Sequence, residues 1–184
     1  MRLFKLLIIG IVVGSIYSYA KQHAENTSEN RISHDSTISW HTVTTSSGVS
    51  IKFPMQPMSK SFNRNIPSLG KIKLNTYQLV QDEDLFILLH ALPLEVNIRH
   101  QPLSVLEDLI HHINDTDQLT ITDKRRFILN SFRGLEYKAV NEYGSQIWYR
   151  TWKKDGQLYS IIYGSSQKRQ NHRLRDIFFK SLQT

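Results

Sequence analysis

An apolar run, Leu6–Ile16, follows a basic start at Arg2 and Lys5, and Ser18 and Ala20 bracket Tyr19. This is the three-part layout of a secretory signal with a small-x-small cleavage site. The run falls short of the about 20 predominantly apolar residues of a membrane span. Cleavage after Ala20 is therefore expected, whereas an uncleaved leader would hold the chain at a membrane. Residues 21–37 are polar, with Ile32 their one aliphatic side chain beyond Ala24. They hold too little apolar surface to offset the entropy of ordering and read as a flexible linker.

Period two begins at Ile38–Val43 and resumes at Val49–Phe53, and Ser46-Ser47-Gly48 between the two runs predicts a hairpin. Pro54 and Pro57 end it, since neither can donate to a ladder. Residues 58–70 are polar and punctuated by Pro67 and Gly70, and no element is assigned to them. Ile72, Leu74 and Thr76 alternate with Lys71, Lys73 and Asn75, the pattern of a half-buried strand. After a turn at Asp82-Glu83-Asp84, the nearly unbroken apolar run Leu85–Leu92 predicts a central strand buried on both faces, with His90 inside it. Leu103, Leu106, Leu109, Ile110 and Ile113 repeat at three and four, and Pro102 suits a first helical position, so an amphipathic helix is expected over about 102–114.

Four strands follow, Leu119–Leu129, Phe132–Glu142, Gln146–Lys153 and Leu158–Tyr163, and Asp155-Gly156 is a tight-turn signal between the last two. A closing helix sets Leu174, Ile177, Phe178, Ser181 and Leu182 on one face and Lys168, Arg169, Arg173, Arg175 and Lys180 on the other. The order of elements predicts a single α+β domain over residues 38–184.

Composition narrows the picture. With 40% hydrophobic and 21% charged residues the chain is an ordinary globular protein, long enough to need no disulfide or metal for its core. It has no cysteine, which excludes disulfides, thiol chemistry and lipid attachment through a cysteine. The net charge is +7, and without residues 1–20 there remain 21 basic against 16 acidic residues. That mild excess, without a long basic run, makes nucleic acid an unexpected partner.

Particular segments carry a resemblance: Val49-Ser50-Ile51-Lys52-Phe53-Pro54, the strand end Ala91-Leu92-Pro93, Phe132-Arg133-Gly134-Leu135-Glu136-Tyr137, and Ile177-Phe178-Phe179-Lys180-Ser181-Leu182. Through them the chain resembles the superfamily of the PsbP extrinsic protein of photosystem II and the Ran-binding nuclear import factor, and especially its exported bacterial members. The resemblance implies an antiparallel β-sheet flanked by helices on both sides, an α/β/α sandwich. It also implies a family whose better-known members are non-catalytic binding subunits. No photosystem or Ran contact motif is present, so neither partner carries over.

Among residues that could carry chemistry, His111-His112 with Asp115 and Asp117 is the densest ligand-capable group. Neighbouring helical side chains point about 100° apart and would not converge on one ion as an i, i+4 pair does. Two polar residues near a helix end explain the pair. Gly164-Ser165-Ser166 lacks the second glycine of a nucleophile elbow and reads as loop and N-cap. Trp148, Arg150 and Trp152 share one sheet face by period two. Aromatics flanking an arginine could anchor a protein partner, or they could be core beneath a helix with Arg150 at the rim.

The sequence thus assigns no catalytic, cofactor or metal site. Its candidate partner-binding residues are Trp148, Arg150, Trp152, Arg169, Arg173 and Arg175. The leading expectation is a non-enzymatic exported binding or accessory subunit with a protein partner in the periplasm or cell envelope. Two rivals stand beside it, a small-molecule or lipid-binding module with a pocket between sheet and helix, and a hydrolase with an unrecognised site.

Overall fold

Alternating and apolar segments assemble around a seven-stranded antiparallel sheet, seen in a computed structural model that describes residues 39–81, 84–117, 119–129, 132–141, 144–165 and 172–183. The expected leader and the whole of the expected linker lie outside these residues. Trp40–Thr184 forms one compact unit. Its elements are β1 (His41–Thr44), β2 (Ser50–Phe53), β3 (Met58–Ile66), β4 (Gly70–Gln81), β5 (Asp84–Pro93), α1 (Ser104–Asp117), β6 (Thr120–Leu129), β7 (Phe132–Val140), β8 (Gln146–Lys154), β9 (Gln157–Ser165) and α2 (His172–Lys180). β1 and β2 form a separate hairpin, and the large sheet has the order β3-β4-β5-β9-β8-β7-β6.

The apolar run of β5 is placed where the pattern requires, at the interior of the sheet between β4 and β9. Residues Asp84–His90 are all buried. Register assigns the two faces. One carries Phe86, Leu88 and His90 of β5, Tyr159, Ile161 and Tyr163 of β9, and Trp148 and Trp152 of β8. The β1–β2 hairpin and α2 close this face, with Val49, Ile51, Phe53, Phe178, Phe179 and Leu182 in its core. The opposite face carries Ile87, Leu89, Ile162, Tyr149 and Leu135, and α1 packs against β7 and β8 with Val105, Leu106, Leu109 and Ile110 buried. The architecture is an α+β antiparallel sheet with a helix on each side.

Several local expectations are corrected. Residues 58–66 are the edge strand β3, whose one ladder runs to β4. Exposed at most positions, it has no apolar face for the sequence to display. α1 begins at Ser104, because Pro102 and Leu103 belong to a preceding turn in which their carbonyls accept from Val105 and Leu106 N–H. On α2, Ile177 faces solvent at 36% exposure while Phe179 is buried beside Phe178, so the apolar stripe is turned toward Phe178, Phe179 and Leu182. Ser165 is the buried last residue of β9, and Ser166, the other capping candidate, lies outside the described residues. Asp155 and Gly156 have φ of 51° and 76°. Two successive residues at positive φ make the mirror-image turn whose twist matches a hairpin, and Gly adopts it without steric cost.

Candidate functional site

Period two puts Trp148, Arg150 and Trp152 on one face of β8, and that face lies under α2. Trp152 is fully buried, its ring stacked on Tyr159 at 5.4 Å, and Tyr159 is stacked on His90 at 4.7 Å. Trp148 is 8% exposed and meets Tyr163 at 5.8 Å. Three basic side chains from two elements approach its ring: Arg175 and His172 of α2 at 5.0 and 6.4 Å, and Lys138 of β7 at 5.6 Å. Arg175 also pairs with Asp176, Nη2 to Oδ1 2.8 Å. Arg173 is exposed, and Arg169 lies outside the described residues. The tryptophans are therefore core, and the basic residues crowd the outer margin of one of them.

Arg150 occupies a row of its own. Its guanidinium lies over Phe179 at 4.8 Å and faces Phe127 at 5.7 Å. Its Nε donates to Glu136 Oε2 at 2.5 Å, and Arg125 Nε donates to Glu136 Oε1 at 2.6 Å. Register makes the arrangement exact in order: Arg150 of β8 opposes Glu136 of β7, which opposes Arg125 of β6. Burial pushes the Glu136 carboxyl up, but the hydrogen bonds and charges of Arg150 and Arg125 outweigh it and hold the group below its ordinary value. One carboxylate thus serves two guanidiniums, with side-chain exposure rising from 23% at Arg150 to 67% at Arg125. In the adjacent row Gly134 sits between Trp152 and Phe127. A Cβ there would stand 2.3 Å from the Thr151 carbonyl oxygen and 2.6 Å from the Phe127 ring, so only glycine fits.

Two polar chains reach into the same face. His90 Nε2 and Tyr159 OH both meet Gln157 Oε1, at 2.5 and 2.7 Å, and Tyr159 OH also meets Ser47 Oγ, which lies 3.0 Å from Thr45 Oγ1. These bonds fasten the β1–β2 turn to the sheet. Burial lowers the His90 pKa, with the Gln157 bond opposing it in part. At the other end of the row system, Tyr163 OH donates to the buried Asp84 Oδ1 at 2.7 Å, and burial together with Asp84 pushes the phenol above its ordinary range. Ser165, opposite Asp84 in the β5–β9 ladder and buried with it, also hydrogen-bonds to Tyr163. His111 is exposed, and among the described residues no group of three or more His, Asp or Glu side chains is placed to hold a metal. The side chains of His112, Asp115 and Asp117 lie outside the described set. No helix among the described residues is long and apolar enough to cross a membrane.

Glu136 and Arg125 are the members of this arrangement that the sequence pattern did not single out. A signal existed in the opposed parities of Arg125/Phe127 and Gly134/Glu136 on either side of residues 130–131, which can be aligned only once the pairing register of β6 and β7 is known.

No family model matches the sequence, and no curated protein matches it. Among solved structures, the solution structure of cyanobacterial PsbP from Synechocystis sp. PCC 6803 superposes with a TM-score of 0.53, covering 85% of this chain and 98% of that one at 10% identity. A crystal structure of a protein of unknown function from Pseudomonas aeruginosa gives a TM-score of 0.33 at 5% identity, covering 74% of this chain and 90% of that one. The first comparison establishes a PsbP-like fold.

Proposed function

We propose that this PsbP-like chain is a non-enzymatic, exported binding or accessory subunit of a cell-envelope assembly. The observation that supports this reading is the closure of both sheet faces. Trp148, Trp152, Tyr159 and Tyr163 pack on one another and on α2 and the β1–β2 hairpin, so the aromatic surface that could have held a small ligand is core. What faces outward is the edge of the sheet, with exposed Lys124, Arg125, Arg126 and Arg133. The signal-like residues 1–20 support export.

The test is affinity isolation of the tagged mature protein from its own envelope under mild extraction. A stoichiometric protein companion is expected. Recovery of the chain alone, or turnover of ester or peptide substrates by the purified protein at a rate removed by changing Ser47 or Ser165, would defeat the reading.

A further inference from the structure

A cross-strand row of alternating charge runs through β8, β7 and β6 and stops on a cation: Arg150, Glu136, Arg125. Each guanidinium inside the row has a carboxylate beside it, yet Glu136 supplies one negative charge against two positive ones, with the exposed Asp123 two residues before Arg125 adding a weaker attraction, and Arg125 is the more exposed of the two guanidiniums. β6 is the last strand of its sheet, and among the described residues its one ladder is to β7. Its outer side consequently offers a line of backbone donors and acceptors to a further strand. The next position in the row, one strand spacing beyond Arg125, would complete the alternation with an acid.

The other face of β6 repeats the demand. Lys124 pairs with Glu107 of α1, Nζ to Oε1 2.8 Å, whereas Arg126, the next residue on that side, is exposed and opposes Leu135. Ile128 follows at 74% exposure, an apolar side chain standing clear of the sheet, with exposed Arg133 opposite it. The register shift between Ile121 and Asp123 disturbs the start of the strand, and the ladder from Asp123 to Leu129 is regular. The same charges decide between occupants. Antiparallel pairing of β6 with a second copy in the register centred on Arg125 would bring Lys124-Arg125-Arg126 against itself, and like charges directly opposite destabilise a pair. A strand carrying two adjacent acids, one on each face, meets the opposite condition.

From this juxtaposition we infer that β6 is a docking edge for an extended acidic segment of a partner protein, which joins the sheet beside Asp123–Leu129. The inference rests on the reading of the chain as a protein-binding subunit and names the chemistry of the partner. Backbone bonds supply the pairing, and Arg125 and Arg126 select acids on the two faces. Ile128 meets an apolar residue of the added strand.

The experiment titrates the mature chain with a synthetic peptide of about eight residues, the length of an ordinary strand, in which Val and Thr flank a central Glu-Glu pair that sets one acid on each face. The comparison probes are the same peptide with a proline beside the acids, its counterpart with Lys in place of Glu, and an oligothymidylate. The expected result is salt-sensitive binding of the acidic strand peptide alone, with slowed amide exchange within β6. Affinity should fall about tenfold in Arg126→Glu, a variant checked for unchanged melting, and stay level in Lys60→Glu on the opposite edge strand.

Equal binding of the proline peptide would show charge without strand pairing and overturn the inference. So would no binding, an equal loss in Lys60→Glu, preference for the oligothymidylate, or self-association through β6. If a companion from the envelope is held as well by Arg126→Glu as by the parent, the edge assignment fails while the accessory reading stands. If the strand peptide docks and no companion is found, the edge stands and the accessory reading fails.

Discussion

Truncation of Phe178 to alanine tests how α2 is seated. The side chain is fully buried, and its ring makes edge contacts with Phe53 at 5.4 Å and Phe86 at 5.2 Å and lies 5.9 Å from Phe179. A buried phenylalanine removes on the order of 200 Å² from water, about 5 kcal/mol at ~25 cal/mol/Å². Compactness of the unfolded chain trims that figure, and the cavity left behind adds to it, which leaves about 3–5 kcal/mol. For a domain of this size such a loss lowers the melting temperature by roughly 10–15 °C. Ile177, one residue earlier and 36% exposed, provides the comparison, and its change to alanine should cost below about 1.5 kcal/mol. Urea unfolding followed by tryptophan fluorescence reads both, since Trp148 and Trp152 lie in the same core as Phe178. If Ile177→Ala is the more damaging, or if Phe178→Ala stays within about 1 kcal/mol of the parent, α2 does not present the face described.

Gly134→Ala should destabilise by about 1–3 kcal/mol, because its methyl group must displace the Thr151 carbonyl or the Phe127 ring; a melt no lower than the parent's would contradict that approach. Glu136 has a folded pKa below its ordinary 4.5, so it binds fewer protons folded than unfolded in that window, and its contribution is present above it and lost as pH falls through the folded value. Glu136→Gln should therefore melt lower at neutral pH and lose less on acidification than the parent, as followed by scanning calorimetry from pH 7 to 3. His90 behaves with the same sign near neutrality: its pKa is lowered from 6.5, so stability drains as pH falls from about 6.5 toward the folded value, and His90→Phe should flatten the melting temperature across that interval. An unchanged slope would mean that another group drives it.

Much of the architecture was readable because burial on a face leaves a period. β5 shows it as an unbroken apolar run, β4 as alternation and α1 as a three-four repeat, and Asp155-Gly156 declares its turn by residue type. β3 could not be read this way. An edge strand exposed on both sides has no periodic constraint, and Ser59, Lys60, Ser61 and Asn63 look like loop. The seating of α2 was off by a fraction of a turn because Phe178-Phe179 permits either neighbour to complete the stripe, and only the surface it meets, Phe53 and Phe86, decides. At the candidate site the alternation of Trp148, Arg150 and Trp152 correctly gave a shared face. What those side chains touch depends on β6 and β7 falling into one register across a hairpin, and that long-range fact is spread over residues whose local sequence does not show it.

The hairpin β1–β2 and the segment after α2 are stitched together: Ser50 and Gln183 exchange both backbone hydrogen bonds at 2.9 Å, and Lys52 N–H donates to Ser181 Oγ across 129 residues of sequence. A contact of that separation closes nearly the whole domain in a loop, so its entropy must be met before it returns anything, and such topologies fold slowly. It also orders events during synthesis. β1 and β2 are made first among the described strands, yet the lid they form over Trp152 and Tyr159 cannot lock until Ser181 and Gln183 have left the ribosome. This closure is held back through almost all of the nascent chain's own elongation.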